Sequence, residues 1–184
     1  MDTRRKGDAL EQLIYALLID EIQGGRFFAK SECCEVFRQK GYYSRDRETE
    51  ILFDVSVEIS LPDATDYSIL FLVECKNYAD PVGVGEVEEF FTKTQQVGAG
   101  NVKGVVATSS SFQSGAVAFA RSKGLGLLRR FEDGSHKWEL RRSPAIWADA
   151  GFTSSADSIR PAILEQADYC LLYTSPSPRD RSLS

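Results

Sequence analysis

The stretch FLVECKNYADP, residues 71–81, opens like a buried strand and then sets Glu74, Cys75 and Lys76 where further apolar residues would be expected. A carboxylate and an ammonium at the end of an apolar strand are costly to bury unless they are paired or employed. Period-two alternation puts Leu70, Leu72, Glu74 and Lys76 on one face. In the preceding strand Asp54 shares a face with Leu52 and Ser56, and one register of a hairpin sets Asp54 beside Glu74. Two neighbouring carboxylates repel by roughly 1 kcal/mol in water at contact distance, and more when partly buried. A divalent cation reverses that sign. Oxygen ligands, with no His or Cys pair at hand, favour Mg2+ or Mn2+. Lys76 points at the same place and could hold or deprotonate a water, or bind a scissile phosphate. A plain salt bridge at a strand end accounts for the same triplet, so the triplet alone leaves both readings open.

The elements that must carry these residues follow from periodicity. Asp8–Ile22 places Leu10, Leu13, Ile14, Leu17, Leu18 and Ile22 at helical spacing, with Glu11 beside the apolar stripe and Gly24-Gly25 as the stop. Residues 29–41 have a poor period and read as mixed helix or loop. In EILFDVSVEIS, residues 50–60, alternation is clean: Ile51, Phe53, Val55, Val57 and Ile59 point one way. A turn at Pro62–Asp66 leads to a strand at Ser68–Lys76, so the pair reads as a β-hairpin. A helix is predicted over Glu86–Val97, with Val87, Phe90, Phe91 and Val97 inward and Gly98–Asn101 ending it. There follow a strand at Lys103–Thr108, a helix at Ser114–Lys123, a strand at Leu125–Arg129 and a further strand at Lys137–Leu140. This alternation implies an α/β fold, a mixed sheet with helices on both faces.

The chain has 184 residues, enough for one domain with a real core, and its 42% apolar and 27% charged content is that of a globular protein. A formal charge of −5 excludes a generally basic nucleic-acid binder. Phosphate contacts would have to come from local clusters: Arg4-Arg5-Lys6, Arg45 with Arg47, Arg121 with Lys123, Arg129-Arg130, and Arg141-Arg142. Each also reads as a solvated charge run. One histidine, His136, argues against zinc and against His-based triads. Cys33, Cys34, Cys75 and Cys170 form neither a CxxC pair nor a disulfide framework. With no apolar run of membrane length and no secretory signal pattern, a cytoplasmic setting with no membrane partner is expected. The expected layout is one folded domain at 1–142 and a linker or the start of a truncated C-terminal region at 143–168. Residues 169–184 are set apart, because back-translation of Cys170–Asp180 resembles a transposase-type sequencing adapter read through in frame.

Taken in order, these motifs look familiar. Asp54, then Glu74-Cys75-Lys76 at a strand end, after a helix bearing Glu11, resembles the PD-(D/E)xK nuclease superfamily, and within it the Mrr-like type IV restriction endonuclease domain. The resemblance spans roughly residues 7–130 and includes GDALEQ, ILFDVSVEI, FLVECKNY and NVKGVVATSSSFQSGAVAFARSKGLGLL. Phe53 stands where the motif's name has proline, which the chemistry does not need. The resemblance implies a restriction endonuclease-like mixed β-sheet flanked by helices, with an αβββαβ-type core. It implies a Mg2+-dependent endonuclease, with Mn2+ able to substitute, acting on double-stranded DNA. Asp54 and Glu74 would be metal ligands with the Cys75 backbone carbonyl, Lys76 would polarise the attacking water, and Glu11 would complete the outer shell. Gln95 or Gln96 would line the site. The same core also serves structure-specific nucleases such as Holliday-junction resolvases and DNA-binding modules that do not cut. It leaves room for a homodimer and for a further C-terminal domain.

Overall fold

The computed structural model describes residues 3–97 and 101–141, with side chains from residue 8 onward, all within the compact unit Met1–Pro144. The expectations for residues 98–100, for Arg142, for the segment 143–168 and for 169–184 lie outside the described residues. In chain order the elements are helix α1 (Thr3–Gln23), a 3-10 turn (Ser31–Cys33), strands β1 (Cys34–Ser44), β2 (Thr49–Ile59) and β3 (Ile69–Lys76), helix α2 (Val84–Val97), strand β4 (Val102–Thr108), helix α3 (Ser114–Lys123), and strands β5 (Gly126–Arg130) and β6 (His136–Leu140).

The six strands form one sheet in sequential order, β1 to β6. β1, β2 and β3 pair antiparallel, β3, β4 and β5 pair parallel, and β6 returns antiparallel to β5. The parallel steps occur where helices intervene, because only a crossover brings the chain back in the same direction. β3 is apolar on both faces because both are covered. Ile69, Phe71 and Val73 join Leu10, Ile14, Leu18 and Ile22 of α1 in one core cluster. Leu70 and Leu72 join Val87 and Phe90 of α2 and Ala116 and Ala120 of α3 in the other. The four buried apolar residues of α1 recur every fourth position, whereas Leu13, expected among them, stands on the flank at 46% exposure.

Residues 29–41 differ from their expectation. They supply the 3-10 turn and most of β1, which pairs with β2 from Cys34↔Ile59 to Ser44↔Thr49. β1 is an edge strand whose Glu35, Arg38, Gln39 and Lys40 spoil any period. Its identity comes from its partner rather than from its own pattern. The three consecutive strands β1 to β3 then match the αβββαβ core.

The alternation of β2 also departs from expectation. Ile51 and Phe53 pack in the α2–α3 cluster, while Val55, Val57 and Ile59, of the same parity, pack in the α1 cluster. The strand therefore changes face at Asp54. Opposite that point the β1–β2 ladder skips the Gln39–Asp54 pair, and Gln39 adopts φ 49°. The register is the same on either side, Arg38↔Val55 and Lys40↔Phe53, so this is a local break in pairing at a residue of left-handed backbone, with no residue inserted.

Candidate active site

Asp54 owes its position to that irregularity. The β2–β3 ladder runs from Ile59↔Ile69 to Val55↔Val73 and ends there. One residue further on, the Asp54 carboxylate accepts the Cys75 main-chain N–H at 2.6 Å. A side chain thus replaces the main-chain acceptor that a continuing strand would have offered. In a strand the N–H and C=O of one residue face the same neighbour. The Cys75 carbonyl accordingly faces the same side, just beyond the end of the β2–β3 ladder. The Cys75 side chain packs against the α1 cluster, and burial pushes its thiol well above the usual range.

Glu74 is on the other face of β3, only 7% exposed. Its Oε1 accepts from Lys76 Nζ and from Lys93 Nζ, each at 3.0 Å. Burial is the largest influence on both ammonium groups and pulls their pKa down. The acidic groups around them together, Glu74 first and with Glu89 contributing to each, hold both lysines above their ordinary pKa. Asp54 feels the opposite field. Burial pushes its carboxyl up to about 6, with the charges of Glu74 and Glu11 adding to the rise, against the Cys75 N–H bond and the charge of Lys76. Glu11, buried on α1, receives Gln39 Nε2 at 3.0 Å and lies 3.7 Å from Arg38 Nη2. Asp54, Glu74, Lys76 and Glu11 are therefore brought into one electrostatic neighbourhood, with Glu11 engaged by β1.

The site lies at the carboxyl ends of the parallel strands, where the loops after β3 and β4 meet. Thr108 Oγ1 donates to the Lys76 carbonyl at 2.7 Å, Ser109 Oγ to Asn77 Oδ1 at 2.5 Å and Ser110 Oγ to the Asp80 carbonyl at 2.8 Å. The serine-rich loop of the sequence thus fastens the loop that follows the triplet. Of the two glutamines, Gln95 is exposed and Gln96 Oε1 accepts from Arg47 Nε at 2.7 Å, tying α2 to the β1–β2 turn. Lys93, one turn before them on α2, is the residue that reaches Glu74. Sequence reading missed it; the only signal was its place three residues beyond the inward Phe90.

Among the described residues, no three or more His, Cys, Asp or Glu side chains are grouped to hold a metal ion. The donor set that remains is two carboxylates and a main-chain carbonyl, all hard oxygens. Mg2+ commonly takes one or two carboxylates and keeps several waters, so these residues fit it.

A mixed six-stranded sheet with flanking helices, carrying an acid on its second strand and an acid and a lysine at the end of its third, defines the restriction endonuclease-like class. The chain belongs to the restriction endonuclease family Mrr_cat, which matches residues 19–132. No curated protein matches it. Among solved structures, protein VC1899 from Vibrio cholerae is similar at 16% identity and a TM-score of 0.50, over 67% of this chain and 30% of that one. A repair endonuclease from Pyrococcus abyssi aligns at 18% identity and a TM-score of 0.41, over 61% of this chain and 43% of that one. The restriction endonuclease MspJI, in complex with a 27-mer oligonucleotide, aligns at 14% identity and 0.43, over 72% and 27%. The matched region is less than half the length of each of these three. The Vibrio likeness is one of fold.

Proposed function

We propose that the chain cleaves DNA by metal-dependent hydrolysis of a phosphodiester, with Asp54, Glu74 and the Cys75 carbonyl holding Mg2+ (or Mn2+). The observation that carries this reading is the Asp54 carboxylate bonded to the Cys75 N–H at the point where β2 leaves β3, beside Glu74 and Lys76. Two acids set this close together beside an ammonium, both largely out of water, are an expensive arrangement for stability alone. A divalent cation supplies a bound water of lowered pKa and neutralises charge on the phosphate. The chain's own residues do the rest. Lys76 presents an ammonium to the water and to the phosphate oxygens, and the Thr108 hydroxyl fixes the main chain from which it extends. Glu11 reinforces the negative field at Asp54. Double-stranded DNA would be positioned by surface arginines such as Arg45 and Arg47, which carry no sequence information through the phosphates.

Purified protein is expected to nick plasmid DNA with Mg2+ or Mn2+ and not in EDTA. Asp54→Ala and Lys76→Ala should each lower the rate by at least about a hundredfold while circular dichroism stays unchanged. Equal cleavage by the variants would remove these residues from the mechanism. One observation favours a second reading: Glu74 already has two ammonium partners, so its charge is satisfied by the chain itself. A DNA-binding module that does not cut would need nothing more. It requires DNA binding that survives EDTA and Asp54→Ala, with no nicking under any metal.

A further inference from the structure

Lys93 is outside the acid–acid–lysine set, yet it shares one oxygen with it. Glu74 Oε1 lies 3.0 Å from both Lys76 Nζ and Lys93 Nζ, and Lys93 Nζ is also 3.2 Å from Glu89 Oε1, one turn back on α2. The side chains of Glu74 and Lys93 are 9% and 18% exposed, while that of Glu89 is 63% exposed. One ammonium balances one carboxylate; a second on the same oxygen repels the first and gains little unless it is held by something else. The two lysines differ in what else holds them. Lys76 is on the strand itself, its carbonyl tied by Thr108. Lys93 reaches across from α2 on a flexible stem and has a second carboxylate on its own helix.

Building on the metal-dependent reading above, we propose that Lys93 is a positioning residue that competes with the divalent cation for Glu74. With no cation bound it neutralises and orients the Glu74 carboxylate. When Glu74 turns to a cation, Lys93 passes to Glu89, a partner at the same ammonium, so that no buried charge is stranded. The competition lowers the affinity for metal while keeping the ligand carboxylate in place.

Calorimetric titration with Mn2+ tests this without reference to cleavage. Lys93→Met keeps the apolar stem and removes the competitor, so Mn2+ is expected to bind about tenfold tighter, the worth of one charge-assisted hydrogen bond no longer broken. Lys93→Arg restores the charge and should return the affinity to near the wild-type value. Glu89→Gln, at an exposed position that leaves folding intact, weakens Lys93's alternative partner and should make Mn2+ binding severalfold weaker, whereas Glu88→Gln, equal in charge change, should leave it near wild type. A purely structural Lys93 predicts unchanged or weaker binding in Lys93→Met, and that result overturns the proposal. So does an equal effect of the Glu89 and Glu88 variants. If wild-type protein binds no Mn2+, or binds it as Asp54→Ala does, the metal reading itself fails and this proposal with it.

Discussion

At the scale of single residues, Asp54 carries the sharpest consequence. Its carboxyl is held protonated in the folded chain up to about pH 6, against 3.8 for an ordinary aspartate, chiefly by burial and then by Glu74 and Glu11. A raised acid favours the folded state below the unfolded pKa, and that contribution is lost as pH climbs through the folded one. Asp54→Asn keeps an acceptor for the Cys75 N–H and removes the ionisation. In EDTA it should therefore be more stable than wild type at neutral pH, by on the order of 2 kcal/mol. The gap should close as pH falls from about 6 toward 4. Urea denaturation across that range checks it; a gap independent of pH would mean that Asp54 is not buried among like charges. Stability gained by deleting a charge, with activity lost, is the pattern of a site built for chemistry rather than for folding.

At the scale of elements, the position of α2 over the sheet decides whether Lys93 reaches Glu74. Gly104 of β4 permits that approach. A Cβ added there would stand 2.7 Å from Leu125 Cδ2 and 2.9 Å from Phe90 Cε1, so these packed side chains, or the elements that carry them, would have to shift. Gly104→Ala should cost about 1–3 kcal/mol, read from the urea midpoint. Val105, the next residue on β4, is 4% exposed in the α1 cluster; Val105→Ala, which leaves a cavity on the opposite face, should lower stability while leaving the α2 face undisturbed. A Gly104→Ala protein as stable as wild type would show that the helix has slack at this point. β1 matters at the same scale. Its break in pairing at Gln39 stands opposite Asp54, and Gln39 also bonds Glu11, so one irregular residue couples α1, β1 and the acid of β2.

At the scale of the whole molecule, an acidic chain of net charge −5 gains from a bound cation beyond its local ligands. A ligand that binds only the folded state stabilises it by mass action, by about 2.7 kcal/mol at a hundred times its dissociation constant. Mg2+ or Mn2+ is therefore expected to raise the melting temperature of wild type in a concentration-dependent way and to leave that of Asp54→Ala unmoved, as scanning calorimetry would read. Equal shifts in both would locate the cation elsewhere on the acidic surface. Among the described residues, no helix is long and apolar enough to cross a membrane.

Sequence by itself determined the apolar runs and their punctuation. Ser114–Lys123 is a helix as read, β4 begins at Val102 and β5 at Gly126, each one residue from the expected start, and FLVECK is a strand apolar on both faces until its last residues. It also set the oxygen-rich, histidine-poor chemistry of Asp54, Glu74 and Lys76. Tertiary structure alone decided what depends on partners. β1 is polar and broken in period, so only pairing with β2 makes it a strand. The change of face at Asp54 coincides with a break in pairing at Gln39 of the neighbouring strand, which no alternation within β2 encodes. Lys93 is one lysine on a helix of mixed charge, indistinguishable in sequence from a solvated one, until packing of Val87 and Phe90 turns it toward Glu74. Local pattern records which residues avoid water; it does not record which distant charges that avoidance brings together.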